Sequence, residues 1–297
     1  MTELLQHLLN GLNLGAIYAL IALGYTMVFG VLNLINFAHG DVVMVGAFVA
    51  YYVAKWLGTG PSWGLACFVL VVAMIVCALL GYVIERFAYR PLRNQPRIAP
   101  LITAIGISLL LENGGQLVFG AEPRVPGWTP AVAPLHWAGL DVSPTQLVTL
   151  ALAIALMAAL QFIIYKTRVG LAMRALSHDH QLASLMGVPT NKVISFTFML
   201  GSALAAAAGI LYSLSYPKIE PFMGLLPGLK AFVAAVLGGI GDVQGAMVGG
   251  LVLGLGEEFV AGYVSSGLRD ALAFGLLIGV LLFKPSGLFG STAAEKV

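Results

Sequence analysis

Residue patterns that support catalysis or nucleotide binding are scarce in this sequence. His178 and His180 lie two positions apart in a polar segment, a spacing that turns side chains to different sides of a helix. The run Gly238-Gly239-x-Gly241 resembles part of a phosphate-binding loop but lacks the lysine that such loops use. The sequence contains neither an HExxH zinc motif nor a GxxxxGK motif. We therefore expect no enzyme, no cofactor and no resident metal.

The composition identifies the medium in which the chain works. Hydrophobic residues make up 59% of the 297 residues and charged residues 9%, whereas about a quarter of an average soluble domain is charged. Apolar runs continue from end to end, so we predict one all-α, polytopic domain over residues 1–297, embedded in a lipid bilayer. The net charge of +2 and the lack of a basic patch argue against a nucleic-acid partner.

Seven apolar runs predict full membrane spans, which take about 20 helical residues. They lie at about 13–34, 42–54, 62–84, 98–119, 142–165, 193–217 and 270–283. Residues 229–258 differ, because two short apolar runs flank the sequence GGIGDVQG at 238–245. We interpret 229–258 as a broken or re-entrant pair of half-helices that leaves and re-enters the same side. Irregular backbone at membrane depth survives only where protein buries it or where it lines a wet cavity.

Small and polar residues mark candidate functional positions within these runs. Glycines at every fourth position of the broken segment predict a helix face of nearly bare backbone. Two amides either line a polar pathway or hydrogen-bond between helices, and His39 is favoured as a satisfied histidine over a ligand. We assign these residues to the translocation path or to close helix packing: Asn33, Asn36, His39, Gly238, Gly239, Gly241, Gly245 and Gly249.

The polar loop at 166–192 is longer than a turn between two spans requires, and it is patterned. Ser177 is predicted to cap a short helix over about 178–186, with Asp179 in its first turn and Gly187 ending it in a left-handed conformation. The apolar side of that helix is formed by Leu182, Leu185 and Met186. The helix either docks into a protein partner or lies on lipid headgroups. The small residues Ala175 and Ala183 favour the protein partner.

The lysines and arginines predict the orientation. If the loop at 166–192 is cytoplasmic, ten of the fifteen share its side, which puts the N-terminus outside and the C-terminus inside. The ten are Arg86, Arg90, Arg93, Arg97, Lys166, Arg168, Arg174, Lys192, Lys284 and Lys296. The other five are Lys55, Arg124, Lys218, Lys230 and Arg269. The proline-rich segment 120–144 then forms an outer loop, with Trp128 and Trp137 suited to the membrane interface.

Three stretches carry a resemblance to a known family. They are GAIYALIALGYTMVFGVLNLINFAHGD at 15–41, VGLAMRALSHDHQLASLMGV at 169–188 and GLKAFVAAVLGGIGDVQGAMVGGLVLGLGE at 228–257. The chain resembles, over nearly its whole length, the inner-membrane permease subunits of ABC importers for branched-chain amino acids, a family with urea and short-amide relatives.

The resemblance implies a bacterial inner-membrane complex. Its members would be two permease chains, often unlike each other, two ATP-binding subunits, and a periplasmic binding protein that supplies most of the selectivity. The resemblance assigns no role to the periplasmic loop 120–144, which either contacts the binding protein or covers the outer mouth. The loop at 166–192 would be the coupling helix that docks into the ATP-binding subunit. By matching position, the coupling residues would be Ala175, Ser177, Asp179, Ala183, Ser184 and Gly187.

We therefore expect an ATP-driven permease that works by alternating access. The alternative is a secondary carrier or channel for small amides or urea that works without an ATPase. Because Glu112 and Asp242 are the only charges the sequence suggests near the passage, we expect it to bind a zwitterionic substrate weakly.

Overall fold

A computed structural model describes residues 2–93, 95–96, 98–130, 132–137 and 140–290. Within those residues the chain forms eleven α-helices and one small β-hairpin. The helices are α1 (Thr2–Leu32), α2 (His39–Leu57), α3 (Trp63–Ile84), α4 (Ile98–Phe119), α5 (Pro144–Lys166), α6 (Arg168–His178), α7 (His180–Leu185), α8 (Thr190–Ser215), α9 (Leu225–Gly238), α10 (Val243–Tyr263) and α11 (Arg269–Phe283). Strands β1 (Leu135–Trp137) and β2 (Leu140–Val142) pair antiparallel.

Eight helices in the described part of the chain are long and apolar enough to cross a membrane, which confirms the all-α, polytopic class. Seven of them correspond to the predicted spans. The eighth is α10, with 21 residues, so only α9, with 14 residues, is a half-helix. The prediction of two half-helices is therefore wrong for α10.

Helices α1 and α8 are buried along most of their length, and α10 packs directly on α1. A Cβ atom added to Gly15 would lie 2.8 Å from Cα of Leu251, and one added to Gly11 would lie 3.0 Å from Cα of Leu255. Glycine is therefore required for the two backbones to approach this closely, as small residues allow in membrane helices generally.

Two helices begin beside the C-terminal half of α1. The His39 ring at the start of α2 lies 4.7 Å from the Tyr25 ring, centroid to centroid. A Cβ atom on Gly228, near the start of α9, would lie 2.8 Å from Cα of Gly40. The N-terminal ends of α2 and α9 therefore meet inside the bundle, and the residues directly before each helix, Ala38 and Gly224, are buried.

The bundle has two ends, which we call the α7 face and the hairpin face. The α7 face contains the C-terminal end of α1, residues 85–93, α6, α7 and the turn at 239–242. The hairpin face contains the N-terminal end of α1, the β-hairpin and the junction of α10 with α11. Trp128 near the hairpin face is fully buried, so it is a packing residue and does not lie at a lipid interface.

The predicted glycine face is divided between a turn and a helix. Gly241 precedes α10 and takes a φ of +98°, which favours glycine for its backbone conformation. Gly245 and Gly249 lie on α10, where added Cβ atoms would collide with the Gly238 and Ala234 carbonyl oxygens of α9. Two of the three glycines therefore pack helices, and the third shapes the turn.

Gly245→Leu and Gly249→Leu should each prevent assembly of a folded permease, because each side chain would push α10 away from α9. Gly106→Leu on α4 is the matched control, since a Cβ there meets no atom within 4 Å among the described residues. Membrane abundance and blue-native electrophoresis measure the outcome. Assembly and uptake at the level of Gly106→Leu in both variants would refute the packing argument.

Candidate functional site

The loop helix is capped by Asp179 and not by Ser177. One Asp179 carboxylate oxygen accepts hydrogen bonds from the backbone N–H groups of Gln181, at 2.7 Å, and Leu182, at 2.9 Å. The Ser177 hydroxyl instead donates to the Arg174 carbonyl within α6, at 2.8 Å. The predicted helix over 178–186 is therefore a six-residue α7 that starts after a break at Asp179.

The end of α7 follows the prediction. Gly187 has a φ of +82°. Its N–H donates to the Ser184 carbonyl and the Val188 N–H donates to the Ala183 carbonyl, both at 3.0 Å. These two bonds form a Schellman motif, which confirms the left-handed end. Both ends of this short helix are thus defined by specific hydrogen bonds.

The apolar side of α7 points away from its own chain. Leu182, Leu185 and Met186 are 60%, 82% and 85% exposed. Ala183, predicted at the partner contact, is instead buried against the bundle, and Ala175 is half-buried. Ser177, Asp179, Ser184 and Gly187 are exposed.

A cleft of about 810 Å³ opens beside α7. Its lining includes Asn33, predicted on the translocation path, and Ser184, predicted at the coupling contact, although the two residues are far apart in the sequence. Asn33 takes a φ of +52°, an uncommon conformation that asparagine tolerates better than most residues. The side chain of His180 contacts the Val31 carbonyl and so attaches α7 to the end of α1.

A buried carboxylate ties the same face together. Glu85 begins a π-helical turn after α3 and is fully buried. It contacts the Arg93 guanidinium and the Ser195 hydroxyl, and Arg90 Nε lies 3.4 Å from its Oε1. Burial lowers the pKa of Arg93 although Glu85 opposes that shift, and arginine stays charged because its ordinary pKa is so high. The cluster fixes the end of α3 to the start of α8.

The predicted polar path residues have separate roles in the structure. The Tyr89 hydroxyl donates to the Asn36 side-chain oxygen at 3.0 Å, and both residues are buried. His39 is buried too. Its Nε2 has no hydrogen-bond partner within the described residues, so the expectation of a histidine with all its hydrogen bonds made does not hold for this nitrogen. Asp242 caps α10 by accepting from the Gly245 N–H at 2.6 Å.

The glycine-rich turn packs against the C-terminal segment. The N–H groups of Leu288 and Phe289 donate to the carbonyls of Leu237 and Gly238, both at 2.9 Å. Gly239 has a φ of +111° and lies against Gly290. These contacts favour a role in close packing over a role in the translocation path for Gly238 and Gly239.

Sequence reasoning missed a set of charges inside the spans. The Lys230 ammonium lies 3.0 Å from both carboxylate oxygens of Glu257 and 2.8 Å from Asp270. The Tyr18 hydroxyl donates to Glu257 at 3.0 Å. Lys230 is predicted from its charge to lie on the outer side, and in the structure both it and Glu257 are buried. A lone lysine in an apolar run indicates a buried charge, but the sequence could not show which acids pair with it, because they lie on other helices.

Two further acids lie within spans. Asp41 at the start of α2 accepts from the Ser108 hydroxyl at 2.5 Å, and Glu112 of α4 interacts with it. Both are buried. Asp41 therefore adds a buried acid to the two charges that the sequence suggests near the passage, Glu112 and Asp242.

One serine of the sequence matches a catalytic pattern. Gly60-x-Ser62-x-Gly64 has the form of a nucleophile motif. In the structure the Ser62 hydroxyl accepts from the Leu65 N–H at 3.1 Å and caps α3. The cap explains this serine without catalysis.

The amino-acid sequence is similar to those of several transport permeases. A family model described as branched-chain amino acid transport system, permease component, matches residues 7–281. The high-affinity branched-chain amino acid transport system permease protein BraD of Pseudomonas aeruginosa is 42% identical, with 99% of this chain and 98% of BraD covered. LivH of Escherichia coli, a permease protein of the same description, is 41% identical, with 99% and 97% covered. The ribose import permease protein RbsC of Haemophilus influenzae is 25% identical over 84% of this chain and 75% of RbsC.

Lys230→Met should destabilise the protein by about 3–5 kcal/mol, because it leaves Glu257 buried without its cation. Adding Glu257→Gln should recover most of that loss. Thermal unfolding in detergent measures both. Lys218→Met is the control, since Lys218 is exposed and its partner Glu220 is partly exposed, and exposed pairs contribute about 1 kcal/mol or less. A melting temperature for Lys230→Met equal to that of the control would contradict a stabilising buried pair.

Proposed function

Since this chain belongs to the family of permease components of branched-chain amino acid transport systems, we propose that it is the membrane subunit of an ATP-driven importer. It passes branched-chain or related amino acids across the bacterial inner membrane by alternating between outward and inward openings. Partner subunits bind and hydrolyse the ATP.

The observation that carries the ATP-driven part of this proposal is the exposed apolar side of α7. Three large side chains are uncovered by the rest of the chain, on a short helix and its end, and the helix is capped at both ends. Exposed apolar area costs roughly 25 cal/mol per Å², so a groove in a partner protein that covers these side chains would gain that energy. The adjoining cleft offers room for further contact.

The proposed assembly has two permease chains, the second one different from this one, two ATP-binding subunits on the α7 face, and a periplasmic binding protein at the hairpin face. The positive-inside rule supports this orientation. Among the predicted cytoplasmic cations within the described residues, Arg90 and Arg93 belong to the α7 face. Arg97 and Lys296 lie outside the described residues.

The alternative, a secondary carrier or channel for small amides or urea, has one observation in its favour. Buried acids within spans, such as Asp41 and Glu112, are a feature that proton-coupled carriers use. We favour the ATP-driven importer because a carrier has no use for an exposed, doubly capped apolar helix on the α7 face.

Asp179→Lys and Gly187→Val should each abolish substrate-stimulated ATPase activity while leaving the permease inserted and abundant. Lysine removes the acceptor of two N–H groups and puts a positive charge at the helix N-terminus, and valine resists a φ of +82°. Phosphate release by the reconstituted complex measures the effect. Gly58→Val imposes the same kind of strain at the end of α2, at a φ of +61°, and should retain coupling. Normal stimulated activity in both loop variants would refute α7 as the coupling helix.

The complex of permease and ATP-binding subunits, without the binding protein, should bind a branched-chain amino acid more weakly than micromolar. Recognition then resides mainly in the periplasmic binding protein, which should bind the same amino acid tightly when measured by the same calorimetry. Titration of leucine into the purified complex decides the point. Micromolar or tighter binding would put the selective site in the membrane and favour the secondary carrier.

A further inference from the structure

A polar pocket of about 220 Å³ opens at the hairpin face, where α1, α8, α10 and α11 converge. Its walls include Asn10, Asn13 and Leu14 from α1, and Glu258 and Arg269 from the junction of α10 with α11. The pocket thus combines one cation, one anion, amides and an aliphatic wall. The residues in it are not those of the α7 face.

Two polar atoms at this pocket lack a partner within the described residues. The side chain of Asn13 is 5% exposed; its amide nitrogen donates to the Ser215 hydroxyl at 3.1 Å, while its Oδ1 accepts nothing. The Arg269 guanidinium donates to Glu258 at 2.8 Å and to the Tyr216 hydroxyl at 3.4 Å, while its Nε donates to nothing. An unpaired acceptor and an unpaired charged donor therefore belong to two residues that line the same cavity, and buried polar atoms of this kind are normally bonded.

We propose that this pocket binds the head group of a free α-amino acid. Arg269 receives the carboxylate through Nε and one terminal nitrogen, and Asn13 Oδ1 together with Glu258 receives the ammonium group. Asn10 holds Glu258 in place through a hydrogen bond of 3.3 Å. The inference rests on the proposed function and deepens it, because it assigns the first contact that a substrate makes with the permease.

Size and charge agree with this ligand class. One water takes about 30 Å³ of liquid, and close packing needs less room per heavy atom, so 220 Å³ suits a small aliphatic amino acid with its side chain against Leu14. The Arg269–Glu258 pair is neutral as a whole, so a ligand with both charges fits it better than a lone anion or a lone cation. Because that ion pair must open to admit the ligand, the binding is weak, as a site that passes substrate onward requires.

Equilibrium dialysis of radiolabelled leucine against the complex, without the binding protein, tests the proposal. Wild type should bind in the millimolar range, and Asn13→Ala and Arg269→Gln should each weaken binding about tenfold or more. Arg269→Lys should retain part of it. Asn113→Ala, an exposed amide on α4, is the matched control and should bind as wild type. Isocaproate, which lacks the ammonium group, and isoamylamine, which lacks the carboxylate, should each compete at least about tenfold less well than leucine.

Three results would overturn the proposal: wild type that binds no leucine at tens of millimolar, variants that bind as well as Asn113→Ala, or an analogue that competes as well as leucine. Should Arg269→Gln fail to fold, Asn13→Ala and the analogue competition decide, since the competition needs no variant. ATP-dependent leucine uptake by the complete system tests the proposed function separately. If leucine binds but is not taken up, the proposed importer function is refuted. If uptake is normal but the complex without the binding protein binds no leucine, the proposed pocket is refuted.

Discussion

The backbone contact between α1 and α10 is the constraint on which the other features depend. A Cβ atom on Gly250 would lie 2.5 Å from Cα of Ala19, and Gly254 lies against Gly15 in the same seam. Lipid offers no hydrophobic drive to join two apolar helices, so association depends on close packing and on hydrogen bonds between helices. The seam therefore sets the register of α10 along α1, and with it the positions of groups at both ends of the bundle.

The buried charges follow from that register. The register places Glu257 beside Tyr18, and it places the next residue, Glu258, beside Asn10 at the hairpin face. Burying the Glu257 carboxylate costs free energy, which a hydrogen bond from Tyr18 and a nearby cation offset, and the half-helix α9 supplies that cation as Lys230. The short helix and the buried pair are thus parts of one arrangement.

At the other end, a run of contacts links α7 to the interior. The side chain of His180 contacts the Val31 carbonyl, and Asn36 bonds to Tyr89. Glu85, at the other end of the π-helical turn that contains Tyr89, contacts Ser195 of α8. Because these contacts join α1, α3, α7 and α8, we expect a displacement of α7 to act on the non-helical segment before α2. This supports the proposed coupling of ATP hydrolysis to opening and closing of the permease.

The sequence by itself determined the class of protein, most of the spans and the existence of a patterned loop. Those properties depend on composition, on run length and on local bonds, such as the left-handed end at Gly187, which neighbouring residues specify. Even there the cap was assigned two residues early, because Ser177 and Asp179 are both good caps and only the backbone break at Asp179 decides between them. The tertiary structure alone decided which charges are buried and what they contact. Lys230 and Glu257, or Asn13 and Arg269, lie on different helices, and their meeting depends on the helix register that glycine contacts impose. A hydrophobic pattern along the chain carries no information on that register, because every side of a membrane helix is apolar.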